Sequence, residues 1–224
     1  MEFYTVDSRM APDRNAYLAC GAGFAGEGEI VEKKSRFIAS VWQVEDEEQV
    51  RSLLAVEKKK YPDARHYCYA YVIGKNKDFV RAADDGEPQG TAGKPILEVI
   101  DKNNLINTCI IVTRIFGGVL LGTGGLSRAY SDAAKAGLDD SEVVKLIPGK
   151  ELLISVDYSM SEKIKYFLEK ENVRIDNIDY GQDVKITALV SDAKFDGILN
   201  RVSELTASNA ETEVVSELDI VESI

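Results

Sequence analysis

Cys109-Ile110-Ile111-Val112-Thr113-Arg114-Ile115-Phe116-Gly117-Gly118-Val119-Leu120-Leu121-Gly122-Thr123-Gly124-Gly125-Leu126-Ser127-Arg128-Ala129-Tyr130 reads as a buried strand, a glycine-rich turn and a helix start. Cys109 to Thr113 is the apolar run of a strand, and Leu126, Ala129, Tyr130 and Ala133 recur at helical spacing over about Thr123 to Leu138. A second turn of the same kind, Asp84-Asp85-Gly86-Glu87-Pro88-Gln89-Gly90-Thr91-Ala92-Gly93-Lys94-Pro95, also leads into a helical pattern, carried by Ile96, Val99 and Ile100. There Thr91 is the expected N-cap, with Pro95 tolerated in the opening turn. Together the two segments hold eight of the 17 glycines. Glycine is used where a positive φ or a close backbone approach is needed, so the pattern predicts one surface built from two sharp turns.

Upstream, Gly28 to Glu32 and Ala16 to Ala22 are candidate strands, and Ser35 to Val44 is a further one. Asp46 with Gln49 opens a helix through Val50, Leu53 and Leu54 that ends before Pro62. Tyr67 to Ile73 and Phe79 to Ala83 form an expected hairpin around Gly74-Lys75-Asn76-Lys77. These elements describe an α+β domain whose sheet is covered by helices on one face. After a break near Pro148-Gly149 the order becomes β-α-β-β-α-β, the ferredoxin-like motif. Its strands are Leu152 to Tyr158, Val173 to Tyr180, Val184 to Val190 and Thr212 to Leu218; Ser159 with Glu162 is the expected capping box of its first helix. The expected domains are 1–145 and 146–224, with fraying after Leu218.

Composition narrows the function. Net charge is −11, distributed as −3 over residues 1–145 and −8 over 146–224. Non-specific nucleic-acid binders derive most of their affinity from neutralising phosphates, so broad attraction to RNA is excluded, while a local basic patch at Arg114, Arg128 and Lys94 is not. Three cysteines, Cys20, Cys68 and Cys109, with no CxxC spacing fit free thiols in a reducing compartment. The N-terminal MEFYTVDSRMAPDRN is too polar for a signal peptide and no apolar run reaches membrane-spanning length, so the expectation is a cytoplasmic protein without membrane contact.

Two readings of the glycine turns stay open. In the first, Thr91, Lys94, Arg114, Gly117, Gly118, Gly122, Thr123, Gly124, Gly125 and Arg128 bind a phosphate or carboxylate, combining the helix-terminus field with arginine geometry. No Gly-Lys-Ser/Thr ending or full dinucleotide fingerprint accompanies them. In the second, the glycines allow close packing and the arginines pair with Asp84, Asp85 or Glu87. Those three carboxylates could hold Mg²⁺, or cap backbone amides in a turn. His66 and Cys68 share one strand face, which permits a nucleophile pair, although no third orienting group is visible. Tyr67, Tyr69 and Tyr71 read as packing along a sheet face.

Lys34-Ser35-Arg36-Phe37-Ile38-Ala39, His66 with Cys68, Asp84 to Leu97 and Thr113 to Tyr130 closely resemble the YigZ/IMPACT family over residues 16–140. Ile115, where an aromatic normally follows the arginine, and Ser127, where an aliphatic residue is common, depart from its pattern. The resemblance implies a ribosomal protein S5 domain 2-like fold followed by a ferredoxin-like domain similar to one in elongation factor G. It also implies a setting in translation, because eukaryotic relatives regulate translation through an additional domain. Some bacterial relatives carry a proline-dipeptidase label, but no dinuclear metal cage stands in this sequence. The expectation is a non-catalytic binding protein with no cofactor, whose partner is the ribosome, RNA or a translation factor. The alternatives are a metal-dependent enzyme on a small phosphorylated or carboxylated substrate and a pure protein-interaction module.

Overall fold

The structure is a computed structural model that describes residues 2–7 and 21–221. Cys20 and most of the expected strand at 16–22 lie outside the described residues. The chain divides into two units, Met1–Val144 and Lys145–Ile224.

In the first unit, β2 (Gly23–Glu32), β3 (Ser35–Gln43), β6 (Thr108–Ile115), β4 (His66–Ile73) and β5 (Phe79–Ala83) form one sheet in the order β2-β3-β6-β4-β5. A short β1 (Phe3–Asp7), not anticipated from the sequence, is tied to the loop before β6: Tyr4 N–H donates to Asn104 O and Ile106 N–H to Tyr4 O. Helix α1 (Glu47–Lys60) begins as expected, with the Asp46 carboxylate accepting from Gln49 N–H at 2.8 Å.

The expectation of helices on one face is corrected. Successive strand residues point to opposite faces, and both faces here are apolar. Trp42, Cys109 and Ile111 pack with Val50 and Leu53 of α1. On the other face lie α2 (Gly93–Lys102) and α3 (Thr123–Asp139): Phe37 meets Tyr130 edge-on at 5.1 Å, and Gly137 lies against Ala39 and Val41. The α3 contact requires glycine at two positions. A Cβ on Gly28 would stand 2.3 Å from Gly137 N, and one on Gly137 would crowd Val41 at 3.0 Å. The helix therefore rests directly on strand backbone.

The second unit pairs β7 (Glu142–Val156), β8 (Arg174–Tyr180), β9 (Val184–Ser191) and β10 (Glu211–Val221) antiparallel in the order β10-β7-β9-β8. That is the ferredoxin-like order. Helices α4 (Tyr158–Lys170) and α5 (Asp192–Leu205) supply Ile164, Leu168, Phe195, Ile198 and Val202 to a core with Leu152, Ile154, Ile186 and Ala188. Three sequence expectations are corrected here. Pro148-Gly149 is no break but lies inside β7, opposite Asp219 and Leu218 of β10. The N-cap of α4 is Asp157, which accepts from Met160 N–H at 3.0 Å and leaves Ser159 to donate to it. The last strand continues past Leu218 to Val221, with Ile220 buried.

Candidate functional site

One end of the α2/α3 face is built from three chain segments. His66 starts β4 directly opposite Arg114 near the end of β6, and Arg65 N–H donates to Arg114 O. The turn at 84–91 lies beside them. Asp85 and Gly86 take φ of 41° and 87°, the left-handed region a tight turn requires, and Glu87 N–H closes the turn onto Asp84 O. The third segment is the loop 116–122, entered through Gly117, where a Cβ would collide with Lys34 C at 2.0 Å. Gly117 N–H donates to Ser35 Oγ at 3.1 Å, which gives the Lys34-Ser35 turn its place in the site.

The three carboxylates of the turn diverge. Asp84 Oδ1 accepts from Ala92 and Gly93 N–H at 3.0 and 2.9 Å, and Oδ2 accepts from Gly90 N–H at 2.8 Å. Burial alone would raise its pKa; the backbone donors outweigh that and hold the carboxyl below the ordinary range. Asp84 thus caps α2 from across the turn. Thr91 is not the cap: the helix starts after Ala92, and the Thr91 hydroxyl donates to Pro88 O. Asp85 accepts from Tyr67 N–H at 2.7 Å. Glu87, nearly buried, accepts from Arg114 at 2.5 Å and from Tyr130 OH at 2.8 Å through the same oxygen. Among the described residues no group of three or more His, Cys, Asp or Glu is placed to hold a metal ion.

Arg114 is 5% exposed and packs between the rings of Phe37 and Phe116, at 5.3 and 5.5 Å. Its Nε is buried without a partner among the described residues. Its pairing with Glu87 matches the structural reading for this one arginine, and the side chain still borders a cleft. His66 Nδ1 lies 2.8 Å from Asp85 O; a carbonyl only accepts, so Nδ1 carries the proton and Nε2 faces Glu87 at 4.0 Å. Cys68 does not form the nucleophile pair. It is fully buried, its Sγ donates to Asp84 O at 3.0 Å with Tyr130 OH 3.3 Å away, and burial pushes the thiol far above its usual value. A thiolate, the reactive form, is suppressed there.

Between these segments opens a cleft of about 430 Å³. Its lining combines the polar Arg65, His66, Glu87 and Arg114 with the apolar Phe116, Leu120, Leu121 and Leu126. Gly122 and Thr123, also in the lining, start α3, whose N-cap Gly122 has φ 73° and offers no side-chain cap. The two helix starts therefore differ: that of α2 is closed by Asp84, that of α3 carries no internal carboxylate. Arg128 and Lys94 are exposed and lie outside the cleft lining. Sequence reasoning missed Arg65, although its adjacency to His66 was a readable signal. It also read Tyr130 as core alone, because nothing in the sequence announces a hydroxyl bond to a glutamate 43 residues away.

Residues 33–138 match the Impact N-terminal domain, and residues 154–209 match a domain of unknown function, DUF1949. IMPACT family member YvyE of Bacillus subtilis is 40% identical over 81% of this chain and 84% of its own. The chain belongs to the YigZ/IMPACT family. The Escherichia coli member YigZ is 30% identical over 83% of this chain and 92% of its own length. A crystal structure of a hypothetical protein, 29% identical, superposes with a TM-score of 0.58 over 87% of this chain and 97% of its own.

Proposed function

We propose that this IMPACT family chain is a non-catalytic binding protein with a regulatory role in translation, and that its first unit holds an anionic group in the cleft between the 84–91 turn and the 116–122 loop. The observation that carries the reading is the contrast between the two helix starts. An α-helix concentrates roughly half a positive charge at its N-terminus through N–H groups without intrahelical partners. At α2 those groups are spent on Asp84; the start of α3, at Gly122 and Thr123, has no side-chain cap and borders a cleft that also holds Arg65, His66 and Arg114. The translational setting comes from the family, whose eukaryotic members regulate translation.

The cationic set differs from the one the sequence suggests. Arg65 replaces Arg128 and Lys94, and Arg114 acts as a neutralised wall paired with Glu87. The dispersed use of Asp84, Asp85 and Glu87 favours binding over metal-dependent chemistry. The test is calorimetric titration with inorganic phosphate and with acetate, for wild type and Arg65→Ala, followed by cosedimentation of both proteins with ribosomes. The reading expects an anion to bind the wild type and to bind the variant several-fold more weakly, with ribosome association reduced in parallel. Equal anion binding by both proteins would remove the cleft from the account.

A further inference from the structure

We infer that the anion this cleft selects is a single carboxylate attached to an apolar group, the chemistry of an apolar amino acid or of a polypeptide ending in one. The inference rests on the anion-binding reading above and names the ligand class of the same site.

Charge is the first argument. The Arg114 guanidinium is matched by Glu87 at 2.5 Å, so the pair is neutral as a unit. What remains is Arg65 at the rim, the polar edge of His66 and the partial charge of the α3 start. That set balances one negative charge. A phosphate dianion would bring a second negative charge that this set does not balance, and a polynucleotide would approach a chain of net charge −11. The apolar part of the lining points the same way. Leu120 is 82% exposed and Phe116 is also exposed, beside the buried Leu126. Side chains of this kind on a free surface await apolar cover. Leu120 and Leu121 lie between Gly118 and Gly122, which take φ of 87° and 73° with open space where a Cβ would stand. The third argument is the buried Arg114 Nε with no partner, which marks donor capacity that the internal pairing leaves unspent. A cleft of about 430 Å³ is at the small end of the range for small-molecule sites, roughly 300–1,000 Å³, and suits one such group.

The test uses the full chain and four probes: N-acetyl-L-leucine, its neutral counterpart N-acetyl-L-leucinamide, free L-leucine and inorganic phosphate. Variants are Arg65→Ala and Leu120→Ser, both at exposed positions, with fluorescence of the single tryptophan, buried Trp42, as the check that the first unit is folded. The acid is expected to bind at least tenfold more tightly than the amide, and both variants to weaken it. Free leucine binding as well as or better than the acetylated form assigns the source as an amino acid; preference for the acetylated form assigns a chain end. Equal binding of acid and amide overturns the inference. Phosphate bound through Arg65 while the acid is not would overturn it and leave the anion cleft standing. Absence of binding by all four probes would remove both.

Discussion

Replacing Asp84 should uncouple the 84–91 turn from α2, and its cost can be worked from the contacts. The carboxylate accepts three backbone N–H bonds, from Gly90, Ala92 and Gly93, between 2.8 and 3.0 Å. A net contribution of about 0.5–1.5 kcal/mol for each gives roughly 1.5–4.5 kcal/mol. Asp84 is only partly buried, so water can replace some of these bonds and the lower half of the range applies. Asp84→Ala should therefore cost about 2–3 kcal/mol, somewhat more than an ordinary N-cap loss of ~1 kcal/mol. Urea unfolding followed by Trp42 fluorescence isolates this effect, because the chain's one tryptophan is buried in the first unit against Phe24. With an m-value of roughly 2 kcal/mol/M, the midpoint should fall by about 1 M at pH 7 with the slope unchanged. The sign of the pH dependence is fixed. The folded pKa of Asp84 lies below its unfolded value, so its stabilisation is present above the ordinary carboxylate range and is lost as pH falls through the folded value. The gap between wild type and variant should close as pH falls below the ordinary carboxylate range. Equal midpoints at pH 7, or a gap that persists undiminished in acid, would refute the capping role.

Other consequences follow from single contacts. Burial raises the pKa of Glu57, while Lys60, Ser40 and Thr113 oppose it, so the fold prefers its protonated form and loses stability as pH rises through the folded value. Glu57→Gln should raise the urea midpoint at pH 8 and flatten its decline from pH 5; a variant less stable at every pH would contradict this. Gly28→Ala should cost about 2–4 kcal/mol, because its Cβ would meet the backbone of α3. Gly124→Ala, in the first turn of α3 with open space around it, should stabilise by about 0.5–1 kcal/mol. The same Trp42-monitored unfolding reads both. In a Cys20→Ser background, a thiol-specific disulfide reagent at pH 8 should label Cys68 and Cys109 only at the rate of unfolding, since both are fully buried with raised pKa.

Periodicity made the second unit legible: Leu152, Ile154, Val184, Ile186 and Ala188 alternate inward as expected, and the helical spacing of Phe195, Ile198 and Val202 matches their burial. The Asp46–Gln49 start of α1 was readable because both partners are local. Long-range partners were not. Asp84 is eight residues from the Ala92 amide it caps, so the nearer Thr91 looked like the natural N-cap. The two-sided covering of the first sheet was hidden in β3, where Phe37 and Ala39 serve one face and Trp42 the other, a pattern that an apolar run alone does not resolve. Arg114 illustrates the same limit at the site. Its position after a buried strand was plain, but only the fold brings Glu87 to it and leaves Arg65 as the cation at the rim.

The central claim is that the start of α3, and not that of α2, receives an anion. Backbone amide NMR of the full chain during titration with acetate and with inorganic phosphate tests it most directly. The account predicts saturable shifts at Thr123, Gly124 and Gly125, absent or small shifts at Ala92 and Gly93, and weaker saturation in Arg65→Ala. Undisturbed amides at 123–125, or equal responses at both helix starts, would contradict it.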